Sequence, residues 1–128
     1  MENNNEIKIS TGKKNIDIIR DGEKVGTVTI NPTDILEAKK FYESVSLIPE
    51  YLAEFAEAAK NLGAMETADK YAEVIEKIGN AIDATYGKGT YRIICGESSS
   101  IEAIQMFFEG VSEYYAEESK KRKSKYIN

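Results

Sequence analysis

Histidine and tryptophan are missing from this chain, cysteine occurs once and proline twice. Each shortage excludes something. Without histidine, no Ser-His-Asp or Cys-His nucleophile can be assembled. A histidine-containing zinc site is excluded too, and one cysteine is too few for a cysteine-only site. Cys95 has no internal disulfide partner, which fits a reducing compartment, and a small buried thiol is its expected role. No apolar run approaches the roughly 20 residues that a membrane-spanning helix needs. Met1 to Asn5 is polar and acidic, unlike a secretory leader. No residues recommend themselves as catalytic, cofactor-binding or metal-binding, so a non-enzymatic role is expected.

What is present suits one folded domain. The 128 residues are 41% hydrophobic and 30% charged, a globular balance. The net charge is −5, which opposes nucleic-acid binding unless the basic residues are concentrated. They are concentrated in one place, Lys120-Lys121-Arg122-Lys123-Ser124-Lys125. That run suits a charged end near an acidic protein partner, a nucleic-acid arm, or a solvated helix end.

The chain divides into a flexible tail over 1–5, a β-hairpin region over 6–30, a helical region over 31–119 and a basic tail over 120–128. Ile7 and Ile9 alternate with polar neighbours and suggest a short strand. Ile16 to Arg20 and Lys24 to Ile30 flank Asp21-Gly22-Glu23 and read as a hairpin. Pairing 16 with 28 and 18 with 26 gathers Ile16, Ile18, Val28 and Ile30 on one face, with Ile19 and Val25 on the other. A two-residue turn alone would split the main apolar sets, so a longer loop or a bulge is required. Asn31 is a good N-cap, with Pro32 at the first helical position. Ile35, Leu36, Ala38, Phe41, Tyr42 and Val45 then form an apolar stripe. Pro49 forbids a straight continuation, so a kink or break is expected over 46–49. Gly63 is a natural C-cap, with a new helix opening at Glu66 or Thr67 and running to Gly87. Gly79 inside it suggests a close helix crossing. Ser98, Ser99 or Ser100 caps a last helix, which carries Phe107-Phe108 and Tyr114-Tyr115 and dissolves into the basic tail.

Three constellations invite stronger readings. Gly87-Lys88-Gly89-Thr90 has phosphate-loop residues, but glycine separates Lys from Thr and the loop follows a helix, so a helix end with a tight turn is the better reading. Glu109, Glu113, Glu117 and Glu118 read as a solvated face rather than a metal site. The aromatic pairs lie on adjacent sides of one helix, so one set is core and the other is free to mark an interface.

Three motifs occur in order: Asn31-Pro32-Thr33-Asp34, Ile82-Asp83 with Tyr86-Gly87-Lys88-Gly89-Thr90, and Phe107-Phe108-Glu109-Gly110. In this order and spacing the chain resembles the tail assembly chaperones of long-tailed phages and prophages of Gram-positive bacteria. The resemblance spans most of the chain, but residues 46–70 carry no clear family signature. It implies a short helix over residues 90–95, whose Tyr91-Arg92-Ile93-Ile94-Cys95 also suits a strand. The implied fold is α+β, mainly α: an N-terminal β-hairpin, with a possible third strand, followed by four or five helices. The implied role is non-catalytic: binding and solubilising the tape-measure protein while tail tube protein polymerises, in the cytoplasm of the bacterial host. The implied partners are the tape-measure and tail tube proteins and further copies of the chain, with neither membrane nor cofactor. The expected partner-binding residues are Phe107, Phe108, Val111, Tyr114, Tyr115, Lys120, Lys121, Arg122 and Lys123. A minor tail or connector protein of the virion, or a small nucleic-acid-binding regulator, are the alternatives.

Overall fold

The computed structural model describes residues 5–126. Only Asn5 of the expected flexible tail lies among them, and residues 127 and 128 of the basic end lie outside. The architecture is α+β, mainly helical: a two-stranded antiparallel hairpin followed by four helices.

The hairpin pairs β1 (Lys14–Arg20) with β2 (Glu23–Ile30). Ile16 lies opposite Val28 and Ile18 opposite Gly26, as the apolar pattern requires. The loop is a two-residue Asp21-Gly22 turn, with φ of 52° and 85°, the left-handed pair that tight hairpins favour. The register shifts between Ile18 and Ile19, so that Ile19 faces Lys24. Val25 is thus the extra residue of a bulge, and this one insertion keeps both apolar sets on the inner face. Ile16 and Ile18 are half-buried there, Val28 and Ile30 fully buried, and Ile19 lies exposed on the outer face. No third strand forms among the described residues: Ile7 and Ile9 are 86% and 79% exposed. Their segment is held at Thr33, whose hydroxyl donates to the Thr11 carbonyl at 2.5 Å, not along β1.

Helix α1 spans Ile35–Ala59. Its N-cap is Asp34 rather than Asn31. The Asp34 carboxylate accepts from the Leu36 and Glu37 amides at 2.9 and 3.4 Å, while Asn31 to Asp34 forms a turn closed by Asp34 N–H to Asn31 C=O at 3.0 Å. A charged acceptor at residue 34 satisfies two orphan amides at once, so the helix starts there. Nor does Pro49 break the helix; it lies inside α1. Only the Val45 carbonyl loses its helical partner, and packing on both sides holds the segment together. Ser44 and Ile48 are buried before the proline, and beyond it Tyr51, Leu52 and Phe55 pack against the core.

Helix α2 spans Ala64–Tyr86. Gly63 stands at its start instead of closing α1, and Glu66 accepts from the Gly63 amide at 3.4 Å. Val74, Ile75, Ile78 and Ile82 form the buried face of α2. Gly87 ends it with φ of 115°. Helix α3 is Thr90–Cys95, a short helix and not a strand. Helix α4 spans Ile101–Tyr126, and Ser100 Oγ accepts from the Ala103 amide at 3.2 Å near its start. It therefore continues through the expected tail. Lysine and arginine are good helix formers, and positive charge suits the negative helix end. No helix of the described residues is long and apolar enough to cross a membrane.

Candidate partner-binding site

The loop between α2 and α3 is built by Asp83. Its carboxylate accepts from the Gly89 amide at 3.3 Å and the Tyr91 amide at 2.8 Å, satisfying first-turn amides of α3 from the preceding helix. The Thr90 hydroxyl donates to the Gly87 carbonyl at 2.7 Å. These contacts use the Gly-Lys-Gly-Thr segment as a structural turn. No group of three or more acidic or cysteine side chains suited to a metal ion occurs among the described residues. Cys95 is a buried free thiol with its pKa pushed up, chiefly by burial.

Helix α4 turns four of its five apolar or aromatic expected contact residues inward. Phe107, Phe108, Val111 and Tyr115 are all buried, while Tyr114 is 36% exposed. The reason is a set of aromatic contacts reaching α1 and α2. Phe41 stacks on Tyr115 with ring centres 4.4 Å apart and meets Phe108 edge-on at 5.8 Å. Tyr86 meets Phe107 edge-on at 5.4 Å. A polar chain runs beside them. The Tyr115 hydroxyl donates to Glu37 Oε2 at 2.7 Å and lies 2.8 Å from the Tyr86 hydroxyl. Since Tyr115 gives its one proton to Glu37, Tyr86 is the donor in the second bond. Glu37 Oε2 also accepts from the Asn31 amide at 2.7 Å. Burial is the largest cause raising both phenol pKa values. These four α4 residues are therefore core, which corrects their expected partner-binding role.

The basic residues fare differently. Lys120, Lys121 and Lys123 are exposed on α4. Lys121 pairs with Glu118 at 3.6 Å, a partly solvated contact of little energetic weight. Arg122 is half-buried and donates to the Thr33 carbonyl at 3.4 Å. That contact sets the end of α4 beside the start of α1.

Between these two helix ends lies a groove of about 550 Å³, with Ile35, Leu36, Ala38, Lys39, Tyr42 and Arg122 among its lining. Ile35, Leu36 and Tyr42 are 59%, 67% and 50% exposed; Val45, 37% exposed, lies outside the groove. The sequence pattern puts these four with Ala38 and Phe41 on one apolar stripe. The structure divides them, burying Ala38, Phe41, Ser44 and Ile48 instead. The signal was present: the apolar residues of α1 span a wider arc than the roughly 100° that one core face needs. A second groove, of about 510 Å³, lies between β1 and α4 and includes Ile18, Ile19, Met106, Phe107 and Tyr114.

Comparison with protein-family models, with curated proteins and with solved structures gives no match.

Proposed function

We propose that this protein is a non-catalytic chaperone that covers apolar helical segments of a client, namely the tape-measure protein of a long-tailed phage or prophage. One observation carries the reading: the exposed Ile35, Leu36 and Tyr42 of α1, set in a groove bordered by Lys39 and Arg122. Exposed apolar side chains clustered on one helix mark an interaction surface. An amphipathic client helix fits such a groove with its apolar face down, in helix-in-groove fashion. Weak contacts repeated by many copies along a long client would sum to firm coverage, yet each stays easy to release. The order of the three motifs along the chain supports the choice of client, the tail assembly being its setting and the bacterial cytoplasm its place.

The test is co-expression with a candidate tape-measure protein from the same genome, followed by pull-down and a solubility assay. The expected result is a soluble, co-purifying client. Leu36→Glu, on an exposed position, is expected to abolish co-purification while leaving the circular dichroism spectrum unchanged. A client that stays insoluble, or that binds the Leu36→Glu variant normally, overturns the reading. Presence of the protein in purified virions would favour a structural tail role instead.

A further inference from the structure

We infer that the groove between β1 and α4 receives the N-terminal arm of a second copy of this chain, adding it as a strand to the β1 edge. The resemblance already implies further copies of the chain; the geometry names the surface and the segment by which they join, and needs no client. Six consecutive residues, Ile16 to Asp21, line one wall of the groove. Neighbours on a strand point to opposite faces, so a consecutive run means that the strand is presented edge-on. Among the described residues β1 pairs with β2 alone, so its outer edge offers backbone groups ready for another strand. The opposite wall is α4, where Met106, Gly110 and Tyr114 recur at helical spacing with Phe107 between them. Met106 is 70% exposed there.

The arm supplies what this edge calls for. Residues 6–10 adopt neither helix nor strand. Ile7 and Ile9 alternate with Glu6, Lys8 and Ser10, the period of a half-buried strand. Both isoleucines are almost wholly exposed within their own molecule. The arm is also kept from its own groove. Thr11 meets Thr33 three residues before Lys14 and three after Ile30, continuing the line on which Lys14 pairs with Ile30. The chain is thus tied to the β2 side at Thr33, and residues 6–10 do not pair along their own β1.

Laid on the β1 edge of a second copy, Ile7 and Ile9 fall on the face that already carries Ile16 and Ile18, over Met106. Lys8 then falls on the opposite face, the side of Asp17. Asp17 and Asp21 line that side of the groove, with Asp17 Oδ1 already 3.4 Å from Lys24 Nζ. Two copies can exchange arms reciprocally, which closes a two-fold dimer.

Sedimentation velocity on the full chain is expected to find a dimer. Ile7→Asp combined with Ile9→Asp is expected to raise its dissociation constant roughly tenfold or more, because two buried isoleucines are lost. The fold survives, since both side chains are exposed in the single copy. Mixing an Ile9→Cys chain with a Met106→Cys chain under oxidising conditions is expected to give a cross-linked heterodimer. A monomeric native chain overturns the inference. So does a dimer unmoved by the arm substitutions, which would point to direct pairing of the two β1 edges, and so does failure of the cross-link.

Discussion

Gly79 and Gly110 both occupy helix interiors, where glycine costs about 1 kcal/mol relative to alanine, yet their surroundings differ. A Cβ on Gly79 would lie 2.9 Å from the Tyr91 ring, so α3 packs where that atom would be. A Cβ on Gly110 would meet nothing within 4 Å. Gly79→Ala is therefore expected to destabilise by about 1–3 kcal/mol, overpacking outweighing the propensity gain. Gly110→Ala is expected to stabilise by about 0.5–1 kcal/mol. Urea denaturation of both variants checks this, and the same sign for both would refute it. Tyr115 offers a second residue-scale test. Removing its hydroxyl leaves Glu37 and Tyr86 short of a partner, so Tyr115→Phe is expected to cost about 1–3 kcal/mol at neutral pH. Burial raises the pKa of both phenols, which favours their neutral forms in the folded state. Their contribution is complete below the ordinary tyrosine value of about 10. It is lost as pH rises through the higher folded values, since the unfolded chain ionises first. Native stability should therefore fall above about pH 10, and less steeply in Tyr115→Phe; parallel pH profiles would argue against the chain of hydrogen bonds.

At the scale of elements, the strongest local signals competed with packing and sometimes lost. Pro49 is exposed within α1, so its ring adds little to the core while it removes one helical bond. Pro49→Ala restores a donor for the Val45 carbonyl and is expected to stabilise by about 1–3 kcal/mol. Thermal unfolding would register this as a higher midpoint, and an unchanged or lower midpoint would mean that the proline shapes α1 for packing. The start of α1 went the other way. Two good capping residues, Asn31 and Asp34, stand three positions apart, and the carboxylate bonding two amides prevailed. In α4 the basic end remained helical because nothing in Lys120 to Lys125 interrupts a helix. Asp83, named in the sequence only as part of a motif, proved to be the side chain that joins α2 to α3.

Across the whole molecule, core and surface exchanged several expected members. Phe108 is buried against Phe41, whereas Leu36 is largely exposed. Phe108→Glu is therefore expected to unfold the domain by burying an unpaired carboxylate, while Leu36→Glu leaves it folded and removes client binding. Circular dichroism and co-purification, read side by side, separate the two; a folded Phe108→Glu variant would contradict the packing described. The grooves lie on different sides of α4. One joins its basic end to α1 and the other joins its first half to β1. The two grooves can therefore be occupied at the same time on one molecule.

By itself the sequence determined the hairpin, its inner face and the helix end marked by Gly87. These depend on alternation, helical period and glycine conformation, which are local properties. The wide apolar arc of α1 and the aromatic run of α4 offered more apolar surface than one contact could cover. Which residues became core depended on how α1, α2 and α4 met around Phe41 and Tyr115. Tertiary structure alone decided that, because burial is a property of neighbours distant in sequence. The surplus that those neighbours did not cover, Ile35, Leu36 and Tyr42, became the candidate site.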